Sequence, residues 1–330
     1  MTIVSDVILA GDVGGTKTWL GLCSRSAPRP QLVEAKRYAT LEFDGLSPLL
    51  DQFLKDTHTE PRRICGAAIG VAGPVVDNRS SLTNVPWHVD GARLGRDLGT
   101  GPMLVLNDLV AMAHALPYLG ESETTALQAG HPTAGGAKAV LAPGTHLGEA
   151  SLHRLHDTWV PIASEGGHAD FAARTPEEHA LVSELRKSIG HVGRGELLSG
   201  PGLVRFHRHT HQDARCPAAL RPPPDAADIV GAALDHRCAG CARALELFVS
   251  ALGAAAGDLG LRTMATGGVF LGGGIPAKIL PALRTPGFRE ALRDKGAMQP
   301  LAERLPVSVI LEPRVGLVGA AVAAAARLQR

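Results

Sequence analysis

Short apolar runs alternate with helical patterns along the first part of the chain. Buried strands are predicted over Val7–Gly11, Trp19–Cys23 and Ile64–Val71, because each run is apolar and is bounded by turn-forming residues. Apolar residues at helical spacing predict helices over Leu46–Thr57 and Leu109–Leu116. Strands that alternate with helices in this way are typical of an α/β fold.

A similar order of elements begins again after residue 120. Strands are predicted over Lys138–Leu141 and Gly148–His153, on either side of the turn sequence APGT. The segments VILAGDVGGTKTWLGL and KAVLAPGTHLGEASL share the order strand, glycine-bearing turn, threonine and strand. This weak internal repeat predicts two related domains. We expect a smaller domain of residues 1–116 plus about 314–330 and a larger domain of residues 117–313.

Composition and charge exclude several classes of protein. Hydrophobic residues make up 45% of the chain, which is too many for a disordered protein. The 33 basic and 32 acidic side chains leave a net charge of +1, so nothing attracts the protein generally to nucleic acid or anionic membranes. Val315–Leu328 is too short for a membrane span and predicts a buried helix, and the first apolar run lacks the basic residues of a secretory signal. We therefore expect a cytoplasmic protein.

The chain has five cysteines, of which Cys238 and Cys241 form a CxxC pair. One such pair is half of a structural zinc site, and Cys216 and several histidines lie upstream. The sequence contains no second CxxC pair, and the surrounding residues, DHRCAGCARALELFVSALG, have helical spacing. We favour the interpretation that both thiols are small side chains on a packed helix.

Three glycine-bearing turns follow predicted strands and suggest phosphate binding. In DVGGT, Asp12 can hold a hydrated Mg²⁺, Gly14 and Gly15 let the backbone approach an anion, and Thr16 adds a hydroxyl. An ordinary hairpin turn is the alternative, since the P-loop and dinucleotide-binding patterns are absent. The turns APGT (142–145) and GGG (272–274) would supply further nucleotide contacts, although Pro-Gly alone is a common turn sequence.

Acidic and amide side chains at other strand ends suit a polyhydroxylated ligand. Asp108 follows a short apolar strand, where it is either the N-cap of the next helix or a base for a substrate hydroxyl. Glu165 and His168 of the turn SEGGH, together with Glu196, offer more hydrogen-bonding groups, or else are a charged turn and a solvated helix residue. The chain has only three Asn, and the position of Asn107 beside Asp108 suggests that an amide is needed there.

A resemblance to bacterial glucokinases of the hexokinase superfamily is carried by the ordered motifs DVGGT, LTNVPW, LNDLVAMAHALP, SEGGHADFA, GELLSGPGL and GVFLGGGIPAKIL. It covers roughly Val7 to Ala320. The resemblance implies an actin-like, ribonuclease-H-type α/β fold in which two domains close on sugar and ATP in an interdomain cleft. It also implies ATP- and Mg²⁺-dependent phosphorylation of glucose at the 6-hydroxyl by a homodimer. The segment CAGCARALELF is similar to its counterpart in the family, which supports the packing interpretation of the CxxC pair.

The resemblance also implies roles for individual residues. Asp108 would be the general base on the sugar 6-hydroxyl, and Asp12 would hold Mg²⁺ through water. The remaining sugar hydroxyls would be bound by Asn84, Asn107, Glu165, His168 and Glu196. The phosphates and the adenosine of ATP would be bound by Asp12, Gly14, Gly15, Thr16, Lys17, Gly144, Thr145, Gly273 and Gly274.

One segment departs from the family pattern. Family members read close to GPGTGLG at the second phosphate turn, whereas this chain has Ala142 and His146 in place of two glycines, and Glu149 where a small apolar residue is common. A left-handed backbone at His146 would be strained, and its ring would narrow the ATP site. The alternative is that an imidazolium there helps to bind a phosphate, although an imidazole is usually mostly uncharged at neutral pH. The alternatives are therefore a hexose or amino-sugar kinase with an altered phosphoryl donor, or a catalytically weak sugar-binding regulator. The start of the first strand at Val7 disfavours a DNA-binding repressor.

Overall fold

The chain divides into two units, Met1–Gly120 with Arg314–Arg330, and Glu121–Pro313. The computed structural model describes residues 6–26, 28–83, 85–211, 216–218 and 224–329. The first unit contains strands β1 (Val7–Val13), β2 (Lys17–Ser24), β3 (Leu32–Ala39), β4 (Ile64–Val71), β5 (Arg79–Ser81), β6 (His88–Asp90) and β7 (Leu104–Asn107). Its helices are α1 (Leu46–Asp56), α2 (Gly91–Leu98), α3 (Asp108–Ala115) and α13 (Val315–Arg327).

The main sheet of the first unit has the strand order β3-β2-β1-β4-β7. Strands β1, β2 and β3 form an antiparallel meander, and β4 and β7 run parallel to β1. Strand β1 alternates between two apolar layers, with Leu9 packed on the side of α1 and α2 and Ile8 on the side of α3 and α13. The carboxyl ends of the parallel strands β1 and β7 carry Asp12 and Asn107, so both residues lie at one edge of the sheet.

Helices α3 and α13 approach closely because both are built from small residues. A Cβ atom added at Gly319 would lie 1.7 Å from the carbonyl oxygen of Ala111, so only glycine permits this approach. Helix α13 is buried along most of its length, which confirms the buried helix predicted over Val315–Leu328. Helix α13 therefore packs directly against the helix that begins with Asp108.

The second unit repeats this plan. Its strands are β8 (Thr124–Gln128), β9 (Lys138–Pro143), β10 (Leu147–Leu155), β11 (Thr158–Ser164), β12 (Gly268–Leu271) and β13 (Val307–Ile310), in the order β11-β10-β9-β12-β13-β8. Strands β9, β10 and β11 form the meander, β12 and β13 run parallel to β9, and β8 is an added antiparallel edge. The hairpins β1–β2 and β9–β10 occupy the same place in their sheets, which confirms the internal repeat.

The helices of the second unit are α4 (Pro176–Ile189), α5 (Arg194–Leu197), α6 (Gly200–His211), α7 (Ala226–Leu234), α8 (Ala239–Arg262), α9 (Gly274–Lys278), α10 (Leu280–Leu283), α11 (Pro286–Arg293) and α12 (Gln299–Arg304). Helix α8 is long and apolar enough to cross a membrane by length and composition, but 78% of its most apolar window is buried in this unit. It is the central core helix, on which α6, α7 and α11 pack.

Candidate functional site

The DVGGT sequence forms the tight turn between β1 and β2. The N–H of Gly14 donates to the carbonyl of Lys17 at 3.1 Å, which closes the turn. Buried Thr40 supports it from below, because its hydroxyl donates to the Gly14 carbonyl at 2.8 Å and its N–H to the Thr16 carbonyl at 3.2 Å. Thr16 and Lys17 are left exposed at the tip. The turn is therefore held rigidly while its outer face stays open to a ligand.

Asp12 lies half-buried at the end of β1. Burial raises the pKa of its carboxyl to about 6, an effect that the positive charge of Lys17 partly offsets. The carboxylate packs against the first turn of α13, where a Cβ atom at Gly316 would lie 2.6 Å from Oδ2. A desolvated carboxylate of this kind fits Mg²⁺, which is commonly held by one or two protein carboxylates together with water and substrate phosphates.

Asn107 and Asp108, at the β7–α3 junction, have different structural roles. Asn107 is the N-cap of α3, with its Oδ1 accepting from the N–H groups of Leu109 at 3.0 Å and Val110 at 3.3 Å. Its Nδ2 donates to the carbonyl of Gly73 at 3.1 Å. Asp108 is the first helical residue and is half-buried, so the interpretation of Asp108 as the cap is wrong. The cap fixes the backbone that positions the Asp108 carboxylate.

Asn78 supports the same junction from the side, a role that the sequence did not indicate. It sits in a left-handed turn with φ of 61°, which Asn tolerates better than most residues. Its Nδ2 donates to the Met103 carbonyl and its Oδ1 accepts from the Val105 N–H, both at 2.8 Å. One amide thus takes the place of a neighbouring strand along β7. The rarity of Asn in this chain was the available signal for this role, but an ordinary turn already explained the presence of Asn78.

In the second unit the SEGGH turn and helix α5 come together. The N–H of Arg194 donates to the Ala169 carbonyl at 2.9 Å, which joins the two segments. Glu165 and His168 are exposed, with 4.0 Å between Oε2 and Nε2, and Glu196 is half-buried on α5. Three of the predicted sugar-binding residues therefore lie in one local structure.

Glu196 is anchored from the neighbouring helix α6. Arg205 lies 2.7 Å from its Oε2 through Nη2 and also donates through Nη1 to its backbone carbonyl at 2.6 Å. The interpretation of Glu196 as a solvated helix residue is therefore wrong. Arg205 was missed from the sequence, because it follows Glu196 by nine positions across a break between two helices.

The ring of His146 lies against the sugar-binding candidates of this unit. It stacks on the ring of His168 with centroids 4.3 Å apart, and a Cβ atom at Gly195 would lie 2.2 Å from it. Burial and the neighbouring His168 lower its pKa, so the ring is neutral at neutral pH. Its backbone is not left-handed, so the expected strain is absent. The histidine at position 146 thus changes the surroundings of the predicted sugar-binding residues.

Glu149 lies on β10 next to the SEGGH turn and is almost fully buried, at 2% exposure. Its Oε1 is 3.2 Å from Arg194 Nη1 and its Oε2 is 3.1 Å from Arg262 Nη2. The carboxylate also fills the space in front of Gly166, where a Cβ atom would lie 2.2 Å from Oε2. This ion triad, Arg194–Glu149–Arg262, supports both the SEGGH turn and α5.

The second and third glycine turns contact each other. Gly144 donates to the carbonyl of His146 at 2.8 Å, which closes the β9–β10 turn. Gly273 has φ of +80°, and a Cβ atom there would lie 2.9 Å from the carbonyl of Pro143, so this position requires glycine on both counts. Gly274 begins α9 with open space in front of it. The sequence suggests that three glycine turns act together, and the two turns within this unit do lie side by side.

Of the predicted residues, Asn84 lies outside the residues that the structure describes. The others fall into two local groups, one in each unit. The first group contains Asp12, Gly14, Gly15, Thr16, Lys17, Asn107 and Asp108, and the second contains Gly144, Thr145, Glu165, His168, Glu196, Gly273 and Gly274.

A protein-family model described as Glucokinase matches residues 9–327. The chain belongs to the glucokinase family. It is 36% identical over 313 residues to a glucokinase of Yersinia pestis (strain Pestoides F), which covers 94% of both chains. The crystal structure of a glucokinase from an Antarctic psychrotroph matches with a TM-score of 0.84 at 31% identity, covering 97% of this chain and 98% of that one.

These matches confirm that the chain has the two-domain, actin-like α/β fold expected from the motifs. A glucokinase of Streptomyces griseus, crystallised with glucose and AMPPNP, shares this fold with a TM-score of 0.65 at 20% identity, covering 96% of this chain and 99% of that chain. The family match spans every candidate residue from Asp12 to Gly274.

Proposed function

We propose that this protein transfers the terminal phosphoryl group of ATP to the 6-hydroxyl of glucose. The observation that carries the proposal is that both candidate groups are present and locally fixed in a chain 36% identical to a curated glucokinase over 94% of its length. The first unit carries the proposed base, and the second carries most of the proposed sugar contacts.

Asp108 acts as the general base. Its carboxylate accepts the proton of the 6-hydroxyl as that oxygen bonds to the γ-phosphorus, and the bond from the γ-phosphorus to the bridging oxygen breaks to release ADP. Phosphoryl transfer depends chiefly on positioning, and the Asn107 cap supplies it by fixing the first turn of α3. The half-buried setting limits competition from water at the carboxylate.

Sugar recognition belongs mainly to the second group. Glu165 and Glu196 accept hydrogen bonds from sugar hydroxyls, and His168 either donates or accepts according to its tautomer. The Arg205 pair holds Glu196 in place, which reduces the entropy lost on binding. Asn107 has one Nδ2 hydrogen beyond the one given to Gly73, and we assign it to the sugar together with Asn84.

The phosphate chain is held by backbone and short polar groups. The turn at 14–17 and the paired turns at 143–146 and 272–274 present N–H groups, Thr16 and Thr145 present hydroxyls, and Lys17 adds a positive charge. Asp12 would hold Mg²⁺. When bound, Mg²⁺ neutralises charge on the phosphates.

The decisive test is the Asp108→Asn variant in a coupled assay for glucose 6-phosphate with ATP and Mg²⁺. We expect kcat to fall by about a hundredfold to ten-thousandfold, with the fold retained because Asn107 still caps α3. Asp51→Asn, an exposed acid on α1, is the matched control and keeps wild-type kcat. Purified wild-type protein that phosphorylates no hexose would refute the proposal.

We further propose a cytoplasmic homodimer. The balanced charge and the membership of a family of soluble enzymes support the location, and the family resemblance supports the dimer. Light scattering on the purified chain should give twice the 34.3 kDa of one chain, and a mass of one chain would refute the dimer.

A related hexose or amino sugar is the second candidate substrate. The stacking of His146 on His168 favours it, because it alters a predicted sugar contact. A panel of sugars at fixed ATP decides between the two, and a strong preference for glucose excludes the second candidate.

A further inference from the structure

Five side chains with metal-binding atoms meet where the C-terminal end of α6 approaches the N-terminal end of α8. His207 and His211 lie on α6, Cys216 lies between the helices in sequence, and Cys238 and Cys241 flank the start of α8. The donor atoms of His207, His211, Cys216 and Cys241 all lie within 4.8 Å of one another. Cys216 lies outside both helices, so only the folded chain brings it to the CxxC pair.

The distances between these atoms match the edges of a zinc tetrahedron. The Sγ of Cys216 lies 3.7 Å from the Sγ of Cys238 and 3.7 Å from that of Cys241, and His211 Nε2 lies 3.3 Å from Cys238 Sγ. Zinc bonds of about 2.3 Å to sulfur and about 2.0 Å to nitrogen place sulfurs about 3.8 Å apart and sulfur and nitrogen about 3.5 Å apart in a tetrahedron. The sulfurs are too far apart for a disulfide, which needs about 2.05 Å.

The surroundings prepare His211 and Cys238 for a cation. His211 Nδ1 lies 2.7 Å from the His207 carbonyl, so its N–H donates there and Nε2 keeps its lone pair for a metal. The Cys241 N–H donates to Cys238 Sγ at 3.4 Å, which stabilises a thiolate.

His207 is a second imidazole at the edge of the cluster. It is 8% exposed, and its Nε2 is buried without a hydrogen-bond partner among the described residues. Its ring stacks on that of His211 with centroids 3.9 Å apart. A buried polar nitrogen without a partner is costly, and because its donor atom lies within reach of the same cluster, His207 is the alternative imidazole ligand to His211.

We propose that Cys216, Cys238, Cys241 and His211 form a structural Zn²⁺ site. Three thiolates and an imidazole are a donor set that zinc accepts, and four protein ligands leave no open position for catalysis. The ion ties the end of α6 to the start of α8. Since α6 carries Arg205, the site also supports the helix that anchors Glu196. The packing interpretation of the CxxC pair is thus incomplete, because it omits Cys216 and His211.

Metal analysis of the full-length protein, expressed with zinc and dialysed against metal-free buffer, tests the site. We expect about one zinc per chain in the wild type. Cys216→Ser should weaken zinc binding, measured by competition with a chromogenic chelator, more than about a hundredfold, since even neighbours of ligands cost ten- to a hundredfold. Cys65→Ser, at another half-buried thiol, is the matched control and keeps the zinc.

The histidine assignment has its own pair of variants. His211→Ala should lose zinc, whereas His209→Ala, on the same helix and paired with Glu184, should keep it. Loss of zinc from His207→Ala with retention in His211→Ala would overturn the assignment of His211.

Cobalt replacement in the wild type makes the test independent of variant folding. We expect tetrahedral d–d bands and intense thiolate-to-cobalt absorption. Wild-type protein with five titratable thiols that binds neither zinc nor cobalt would overturn the proposal.

Discussion

At the residue scale, adjacent side chains at the β7–α3 junction separate structural from chemical work. Asn107 spends its acceptor oxygen on the helix cap and one amide hydrogen on Gly73, while Asp108 carries the charge proposed to take the substrate proton. Asp108 Oδ1 also accepts from the Leu109 N–H at 2.9 Å, but the bonds that cap the helix are those that Asn107 accepts from Leu109 and Val110. The two roles can therefore be separated by mutation.

We predict that Asn107→Ala lowers the free energy of unfolding by about 1 kcal/mol through loss of the cap. Asn107→Asp should retain most of the stability, because a carboxylate also caps a helix and favours its N-terminus. Denaturant unfolding measures both. Equal losses in the two variants would show that the bond to Gly73, and not the cap, carries the stability.

His146 illustrates how a residue that departs from a family pattern can act on a neighbouring site. We predict that His146→Ala changes the KM for glucose severalfold and leaves the KM for ATP within about twofold, since the ring contacts His168 and Gly195. His153→Ala, on the strand β10 that follows His146, is the control and should change neither. A change confined to the KM for ATP would show that His146 acts on phosphate binding and not on sugar binding.

At the element scale, short elements of the second unit depend on buried charges. Helix α5 has only four residues, too few to be stable in isolation, and the SEGGH turn has little apolar surface. Arg194, Glu149 and Arg262 connect these elements to β10 and α8. A buried charge of this kind is a weak source of net stability, but removal of one partner is costly.

We predict that Glu149→Gln lowers the free energy of unfolding by about 3 kcal/mol, because Arg194 is left without its buried counter-charge. The KM for glucose should rise as well, since Gly166 and α5 rest on this carboxylate. Glu60→Gln, at an exposed pair with Arg62, is the control and should change stability by less than about 0.5 kcal/mol. Equal effects of the two substitutions would contradict the supporting role of the triad.

At the scale of the whole molecule, the same sheet plan is used twice, with different chemistry at the strand ends. The first unit places carboxylates at the ends of β1 and β7, and the second places glycine turns and a histidine-rich surface around β9 and β10. Helix α3 of the first unit also carries a half-buried titratable residue, His114, whose desolvation lowers its pKa to about 4.

We predict that His114 contributes to acid sensitivity. In the unfolded chain it binds a proton below pH 6.5, but the folded protein resists protonation down to about pH 4. The unfolded state therefore binds more protons in this window, and stability falls as the pH is lowered, by up to about 1.4 kcal/mol per pH unit. Asp12 titrates in the opposite sense, so wild type must be compared with His114→Gln, which lacks the His114 contribution. Parallel stability curves from pH 7 to 4 would contradict this role.

Local sequence was sufficient to predict the strands and glycine turns, because hydrophobic periodicity and turn-forming residues act over only a few positions. The strand predicted over Ile64–Val71 has those bounds in the structure. Helical spacing continues through Gly195–His209, but in the structure α5 ends at Leu197 and the side chain of Ser199 accepts from the Gly202 N–H at the start of α6. Helical spacing likewise continues from Ile229 to Leu261, but Cys238 caps α8 and separates it from α7. Caps of this kind compete with helix periodicity and are decided by the surrounding packing.

The sequence by itself determined the fold class, the family and the candidate residues, since motif order and turn chemistry are written along the chain. Only the tertiary structure decided which side chains work together, because the partners are far apart in sequence. Arg262 reaches Glu149 across 113 positions, and Asn78 reaches Val105 across 27. Cys216 joins Cys238 across 22 residues, and contacts of this separation depend on how helices and strands pack.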